Sequence, residues 1–335
     1  MTAFQTLSER YYPAIEEELR RAVATTNQAG LGGLYAMLAY HLGWEGEGAG
    51  REAQGKRLRP LLTLLCAAAA GGDWQAALPA AAAVELVHNF SLIHDDIEDN
   101  SPLRRGRPTI WSKWGIPQAI NTGDALFSLA HLAIFRLNET APEVCLPAAH
   151  RLQQTCLHLT QGQYLDISYE KRHDLTPADY WPMVEGKTAV LLMTCTELGA
   201  LIAQSPSRPH YRQFGRLVGL AYQTQDDLLG IWGDSAMTGK SVESDLVEGK
   251  KSLPILYGLS QQGPFAARWA QGPIGVEEAP MLAAQLEAEG ARAYTQAETD
   301  RLTQEALHAL DDAQPQGEAG EALHELTRKL LKRQK

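Results

Sequence analysis

Two aspartates set four residues apart, Asp95 and Asp99, form the first group whose spacing could do chemistry. They lie in the string HDDIEDN (residues 94–100), directly after the mostly apolar run Val84–Ile93. If that run is helical, both carboxylates project from one face, roughly 6 Å apart along the axis. Such a like-charged pair destabilises a helix unless a cation neutralises it, and Mg²⁺ is usually held by carboxylate and phosphate oxygens. A solvated helix end with local Asp caps is the structural alternative.

A second aspartate pair, Asp226 and Asp227, ends another apolar segment, Phe214–Tyr222. The position four residues after Asp226 is Gly230, so this face offers one carboxylate fewer than the first. If the two helices face each other, they form a cleft with carboxylates on both walls. Metal sites in helical bundles are built in this way.

Basic residues beside glycines accompany both aspartate groups. Arg suits two-point recognition of phosphate, Lys a point-charge contact, and helix starts bind anions through backbone N–H groups. Together they predict metal-bridged and cation-clamped diphosphate groups. The sequence contains neither GxxxxGK[ST] nor a strand-borne GxGxxG, which excludes the common nucleotide sites. The basic positions are Lys56, Arg57, Arg59, Arg104, Arg105, Arg107, Lys187, Lys240, Lys250 and Lys251.

The composition restricts the partners and the compartment. A net charge of −10 over 335 residues argues against nucleic acid as the main partner, because phosphate-backbone binding needs clustered Lys and Arg. The four cysteines lie far apart, which favours free thiols in a reducing compartment. The amino terminus lacks the apolar stretch of a signal peptide, and the longest apolar run, Leu61–Ala70, is too short to span a membrane. We therefore expect a cytoplasmic protein without a transmembrane segment.

The elements that carry these residues are predicted to be helices. Apolar residues recur at three-and-four spacing among good helix formers, and alternating strand patterns are nearly missing. Length alone suggests about two domains, but two aspartate clusters lining one cavity favour a single all-α domain over residues 1–335. The predicted helices are Tyr11–Thr26, Arg59–Ala70, Ala76–Asp99, Asn121–Leu137, Pro147–Tyr169, Pro177–Ala203, Tyr211–Trp232 and Glu321–Lys332.

The motifs, taken in order, resemble those of a known family. They are GKRLRP, ELVHNFSLIHDDIEDNSPLRRGRPT, GDAL, GQYLD, GKTA and YQTQDDLLGIWGD, followed by GKSVESDLVEGKKSLP. This set resembles the trans-isoprenyl diphosphate synthases (polyprenyl synthetases) from about Arg51 to Leu259. The resemblance implies an all-α isoprenoid synthase fold, with one large helical bundle around a deep central cavity, and a homodimer. It also implies condensation of isopentenyl diphosphate with an allylic diphosphate, releasing pyrophosphate.

The resemblance also assigns roles to residues. Asp95, Asp99 and Asp226 correspond to the ligands of Mg²⁺, which Mn²⁺ could replace, and Asp96 and Asp227 to residues that support them. Thr188 and Gln163 correspond to polar residues facing the developing cation. The family's allylic diphosphate positions are Arg104, Lys187, Gln223, Lys240 and Lys250. Its isopentenyl diphosphate positions are Lys56, Arg59, His88 and Arg105.

Two details of the motifs concern the product and the metal. The second motif ends in Gly230 where the common family pattern has Asp, which leaves metal affinity open. The family places its chain-length gate just before the first motif, and Phe90 with the small Ser91 resembles the arrangement for a geranylgeranyl (C20) product. Helix geometry leaves an alternative, because five residues turn Phe90 about 140° away from Asp95, so Phe90 could be plain core. Farnesyl (C15) and C25 products stay open.

Two other functions compete with chain elongation. A class I terpene cyclase shares the aspartate-rich, Mg²⁺-dependent ionisation but needs no isopentenyl diphosphate, and the four basic residues matched to that substrate argue against it. A non-catalytic subunit of a heteromeric synthase tends to lose aspartate-rich positions, and only Gly230 hints at such a loss.

Overall fold

The computed structural model describes residues 1–233 and 243–331. Its helices are α1 Ala3–Ala24, α2 Gly32–His41, α3 Arg51–Gln54, α4 Leu58–Ala69, α5 Leu78–Glu98, α6 Ile110–Trp114, α7 Ile116–Phe135, α8 Leu137–Thr140 and α9 Pro142–Tyr169. They continue with α10 Pro177–Val184, α11 Val190–Ile202, α12 Arg208–Trp232, α13 Ser244–Glu248, α14 Leu253–Ser260, α15 Pro264–Trp269, α16 Ala279–Ala288, α17 Ala291–Asp312 and α18 Gly317–Leu331. A 3₁₀ turn, Trp74–Ala77, precedes α5, and a π-helical turn, Glu185–Ala189, joins α10 to α11.

The predicted all-α class is confirmed for these residues. Within the described ranges, strands are limited to the pair Leu103–Arg104 and Arg107–Pro108, which the sequence reading did not anticipate. Arg105 and Gly106, both with positive φ, form the two-residue turn between them. That turn geometry matches the twist of a short antiparallel hairpin. The hairpin therefore fixes the positions of the arginines that follow the first aspartate motif.

The chain divides into two compact units. The first comprises Met1–Gln154, Thr194–Tyr211 and Ala313–Glu325, and the second comprises Thr155–Met193, Arg212–Asp312 and the chain from Leu326. The prediction of one domain over residues 1–335 stays a prediction. The first aspartate motif belongs to the first unit and the second motif to the second, so each is described within its own unit.

Helix α5 is the centre of the first unit, where it packs against α1, α4 and α7. Its Ala80–Ala83 stretch is fully buried, and these small side chains let neighbouring helices approach closely. Together with the preceding turn, α5 forms the segment Trp74–Glu98, which is long and apolar enough to cross a membrane. Its apolar window is 72% buried within the structure, as expected for a core helix.

The second unit has a core of its own around α12 and the helices that follow. Buried side chains there include Ile231, Ile255, Phe265 and Leu286. Helix α14 begins at Leu253, after the N-cap residue Ser252, and has Pro254 in its first turn, where proline costs no helical hydrogen bond. This start places the first backbone N–H groups of α14 beside the second aspartate motif.

Candidate active site

The first aspartate motif occupies the last turn of α5, at the negative end of the helix dipole. Asp99 is exposed and Asp95 half-buried, whereas Asp96 is only 2% exposed. The Asp96 carboxylate accepts a hydrogen bond from Arg104 Nε at 2.8 Å, and Arg104 Nη2 lies 2.8 Å from the same oxygen. Burial raises the pKa of Asp96 to about 6 against the opposing charge of Arg104. Asp95 and Asp99 are therefore the water-accessible carboxylates of this turn, while Asp96 orients Arg104.

Arg105 follows on the hairpin and lies against the loop before α4. Its Nη1 donates to the Ala53 carbonyl at 2.7 Å. A Cβ atom on Gly55 would lie 2.7 Å from the Arg105 guanidinium carbon, so only glycine leaves room for this arginine. Gly55 also has φ +75°, which favours glycine. The glycine of GKRLRP is thus needed for the position of Arg105.

Arg57, the middle basic residue of GKRLRP, is a structural anchor that the sequence did not reveal. It is 2% exposed, and it donates to Glu16 at 2.6 Å, to Glu85 at 2.9 Å and to the Leu42 carbonyl at 3.0 Å. A buried charge is tolerated when it is paired in this way. Arg57 therefore holds the loop that carries Lys56 and leads into α4, where Arg59 lies.

Arg59 and His88, both predicted to bind isopentenyl diphosphate, are in direct contact. Arg59 Nη1 and His88 Nε2 are 3.0 Å apart. Burial, then the charges of Arg59 and Arg105, hold the pKa of His88 well below its usual range. His88 is therefore a neutral imidazole within a cationic group. Lys56, the fourth predicted member, is exposed in the loop before α4.

His41 is a neighbour of this group that no sequence pattern indicated. It lines a cavity of about 30 Å³ with Asp96, Arg104, Arg105 and Thr109 among others. Burial, then the charges of Arg104 and Arg105, lower the pKa of His41 to about 3. The cavity is large enough for one water molecule among polar groups.

Phe90, on α5, belongs to a row of aromatic rings that continues onto α7. Its centroid is 4.8 Å from that of His94 and 5.1 Å from that of Phe127, and Phe127 is 4.5 Å from His131. Phe90 and Ser91 are both half-buried. Phe127 and His131 were missed by the sequence reading, although their four-residue spacing puts them on one face of α7.

The second aspartate motif lies near the end of α12. As in the first motif, one aspartate is buried and hydrogen-bonded while the other is more accessible to water. Asp226 is half-buried, whereas Asp227 is 4% exposed and accepts hydrogen bonds from the Leu253 N–H at 3.0 Å and Gln223 Nε2 at 2.9 Å. Gln223 in turn accepts from the Thr188 hydroxyl at 2.9 Å. Burial, then the charge of Asp245, raises the pKa of Asp227 to about 7. The structure thus connects three predicted residues, Thr188, Gln223 and Asp227, in one hydrogen-bonded chain.

Lys187 is carried by the π-helical turn Glu185–Ala189 and forms an ion pair with Asp166. Two motif glycines make this arrangement possible, because a Cβ on Gly162 would lie 2.8 Å from the Gly186 Cα. Gly162 of GQYLD and Gly186 of GKTA therefore allow the backbones of α9 and the π-helical turn to come into contact. Asp166 is a partner that the sequence reading did not assign.

Lys250 and Gln163 are further predicted residues of the second unit. Lys250 Nζ lies 2.7 Å from the Glu248 carboxylate and 3.9 Å from Asp245. Gln163 is half-buried on α9. Lys240 lies outside the described residues.

The carboxylate oxygens of the two aspartate motifs suit a hard divalent cation that also binds phosphate. In the described ranges, no three His, Cys, Asp or Glu side chains lie together closely enough to hold a metal ion by themselves. Cations bound through one or two carboxylates, waters and substrate phosphates need no such cage. The water-accessible carboxylates of Asp95, Asp99 and Asp226 fit that kind of binding.

Comparisons with known proteins bear on the family of this chain. The polyprenyl synthetase family model matches residues 50–274. A geranylgeranyl diphosphate synthase of Mycobacterium tuberculosis is 40% identical over 304 residues, 88% of this chain and 85% of its own length. A (2E,6E)-farnesyl diphosphate synthase of the same species is 40% identical over 278 residues, 79% of this chain and 76% of its own length. A polyprenyl synthase from Caulobacter crescentus, crystallised with calcium and isoprenyl diphosphate, matches with a TM-score of 0.82 at 27% identity, over 98% of this chain and 97% of that one.

Proposed function

Because this chain belongs to the polyprenyl synthetase family, we propose that it is a short-chain trans-prenyltransferase. It condenses isopentenyl diphosphate with dimethylallyl, geranyl or farnesyl diphosphate and releases pyrophosphate, with geranylgeranyl diphosphate as the main product. The family match together with two complete aspartate pairs carries this proposal. The presence of Asp95, Asp99 and Asp226 makes a non-catalytic subunit the weaker alternative, because such subunits tend to lose aspartate-rich positions.

Asp95, Asp99 and Asp226 would hold Mg²⁺, or Mn²⁺ in its place. When bound, the cations neutralise the charge that builds on the departing pyrophosphate. Asp96 and Asp227 act through their partners, since they keep Arg104 and Gln223 in place. This division of roles follows from which carboxylates face water and which are buried.

The cationic side chains bind the two substrates in separate groups. Arg104, Lys187, Gln223, Lys240 and Lys250 are proposed to hold the allylic diphosphate. Lys56, Arg59, His88 and Arg105 are proposed to hold isopentenyl diphosphate, and the contacts Arg59–His88 and Arg105–Ala53 support this group. Fixed donors aimed at the leaving group stabilise the transition state without reorganisation.

The reaction proceeds by ionisation, addition and proton loss. The allylic C–O bond breaks, the double bond of isopentenyl diphosphate attacks the resulting cation, and a proton is lost beside the new C–C bond. That double bond is a weak nucleophile, so holding it against the cation supplies most of the orientation. Water must be excluded, because it would hydrolyse the cation. The released pyrophosphate is the proposed acceptor of the proton.

Two properties of the whole protein complete the proposal. We infer a cytoplasmic location from the composition and a homodimer from membership of the family. Exposed apolar side chains on α7, such as Leu132 and Phe135, are candidates for the interface.

Replacement of the metal-binding aspartates tests the proposed mechanism. We expect Asp95→Ala and Asp226→Ala each to reduce product formation from isopentenyl and farnesyl diphosphates at least ~100-fold, because stabilisation of the leaving group is lost. The measurement is steady-state kinetics across a range of Mg²⁺ concentrations.

Asp300→Asn serves as the control, since Asp300 is an exposed carboxylate on α17. Unchanged rates in the two Ala variants would contradict the metal role. Product formed without isopentenyl diphosphate would identify a terpene cyclase instead.

A further inference from the structure

Arg107, the third arginine of LRRGRPT, has no role in the proposed function, yet the structure buries it to 9% exposure. Its guanidinium donates to three backbone carbonyls, those of Tyr40 at 2.8 Å, Glu45 at 2.8 Å and Glu47 at 2.9 Å. The first carbonyl belongs to the last turn of α2, and the other two belong to residues 42–50, the glycine-rich loop between α2 and α3. One side chain of the hairpin therefore holds this whole loop.

Tyr40 adds two further contacts between the glycine-rich loop and the hairpin. The Arg107 Cζ lies 3.9 Å from the centroid of the Tyr40 ring, and the Tyr40 hydroxyl donates to the Pro108 carbonyl at 2.9 Å. A Cβ atom on Gly46 would lie 2.7 Å from the Tyr40 ring and 3.3 Å from Arg107 Nη2. Gly46 also has φ +86°, which favours glycine. The loop is thus built to receive this arginine.

The glycine-rich loop in turn supports the acceptor of Arg105. A Cβ atom on Gly43 would lie 2.5 Å from the Gln54 nitrogen and 2.6 Å from the Ala53 carbonyl carbon, so these backbones are in direct contact. The Ala53 carbonyl oxygen accepts the hydrogen bond from Arg105 Nη1 at 2.7 Å. Arg105 and Arg107, two residues apart on the hairpin, therefore hold the same segment of chain.

The start of the glycine-rich loop is also connected to GKRLRP. The Leu42 carbonyl accepts from Arg57 Nη2 at 3.0 Å, and Arg57 is the N-cap residue of α4. Three arginines from two separate motifs therefore converge on residues 40–53. A displacement of this segment would move the side chains proposed to bind isopentenyl diphosphate, whereas Arg104 has a separate anchor in Asp96.

We propose that Arg107 is a positioning residue for isopentenyl diphosphate, which acts on Arg105 through the glycine-rich loop. This inference rests on the proposed function, because it takes Arg105 as a ligand of that substrate. Arg107 does not touch the substrate, since its guanidinium is directed at the loop carbonyls. A lysine would not replace it, because one ammonium group lacks the planar set of donors that reaches all three carbonyls.

Changes on both sides of this contact test the proposal. The variants are Arg107→Ala, Arg107→Lys, Gly46→Ala and the double variant Arg107→Ala/Gly46→Ala, with Arg105→Ala as the reference. Isothermal titration calorimetry with isopentenyl diphosphate alone gives the Kd without turnover. Circular dichroism reports folding, and steady-state kinetics give kcat and the KM of each substrate.

Two control variants separate this contact from general effects of substitution. Gly48→Ala lies in the same loop at φ +69°, but a Cβ there would be 3.5 Å from the Arg107 Cγ, an ordinary contact distance. Arg301→Ala removes an exposed arginine of α17 that pairs with surface glutamates. Both controls should bind isopentenyl diphosphate as the unmodified protein does.

We expect Arg107→Ala and Gly46→Ala each to weaken binding of isopentenyl diphosphate ~10-fold, as when one charge-assisted hydrogen bond to the diphosphate loses its alignment. The double variant should bind little more weakly than either single variant, because both changes release the same loop. Arg107→Lys should restore only part of the affinity. The KM for farnesyl diphosphate and the kcat at saturating isopentenyl diphosphate should stay near those of the unmodified protein.

Three results would overturn the inference. The first is normal binding of isopentenyl diphosphate by folded Arg107→Ala while Arg105→Ala loses it. The second, decisive if Arg107→Ala does not fold, is normal binding by both Arg107→Lys and Gly46→Ala. The third is an equal rise in the KM of both substrates, which a general loss of structure would produce. Normal binding by Arg105→Ala would instead contradict the proposed function at this residue.

Discussion

At the level of single residues, Phe90 is the side chain whose contacts bear most directly on product length. It packs against Phe127 and His94 rather than standing directly under Asp95, as the 140° turn of the helix requires. Ser91, one turn before Asp95, is small and half-buried. We propose that a growing chain that passes Ser91 is blocked by the ring of Phe90, against which Phe127 packs.

We therefore predict that Phe90→Ala shifts the products toward C25 and longer chains, because the ring no longer blocks extension. The measurement is chain-length analysis of the products by mass spectrometry at fixed substrate ratio. Phe4→Ala, at a half-buried phenylalanine of α1, is the matched control. An unchanged product distribution would show that Phe90 is only part of the core.

At the level of elements, the contact between Gly162 on α9 and Gly186 in the π-helical turn positions Lys187. The backbones approach so closely that a Cβ on either glycine meets the other chain segment. The π turn shifts the register of the helix by one residue, and such turns often occur at functional sites. Lys187 and Thr188 both lie in this turn, so their directions depend on it.

Gly162→Ala tests this dependence. We expect a loss of ~1–3 kcal/mol in the free energy of unfolding, since overpacking at a backbone contact forces displacement. We also expect a higher KM for the allylic diphosphate, because Lys187 moves. Urea denaturation and steady-state kinetics provide the two measurements.

The control is Gly33→Ala in α2, where a Cβ has open space. Alanine there should leave stability unchanged or raise it, because alanine is the better helix former. A Gly162→Ala protein as stable as Gly33→Ala would contradict the close-approach argument.

At the level of the whole molecule, the sequence predicted the helices well where apolar periodicity is uninterrupted. Ala76–Asp99 was expected to be one helix, and α5 runs from Leu78 to Glu98. Pro177–Ala203 was also expected to be one helix, but the π turn divides it. That turn accompanies a close contact with Gly162, and no local pattern in the sequence shows such a contact.

In the candidate site, too, contacts between distant parts of the chain could not be predicted from the sequence. Spacing alone paired Asp95 with Asp99, and the structure separates both from the buried Asp96. The role of Arg57 could not be predicted, because its partners Glu16 and Glu85 come from distant parts of the chain. The contact between Gly230 and the Asp245 carboxylate could not be predicted either, because Asp245 lies on a separate short helix. The net charge of −10 describes the protein as a whole. The basic side chains that would bind diphosphate form small local groups that the net charge does not reveal.

Product analysis of the unmodified protein tests whether it is a prenyltransferase. Purified protein is incubated with Mg²⁺, isopentenyl diphosphate and farnesyl diphosphate, and the products are identified by mass spectrometry after removal of the diphosphate. We predict geranylgeranyl diphosphate as the main product, formed only when both substrates and Mg²⁺ are present. If no elongated product appears with farnesyl, geranyl or dimethylallyl diphosphate, the protein is not a chain-elongating prenyltransferase.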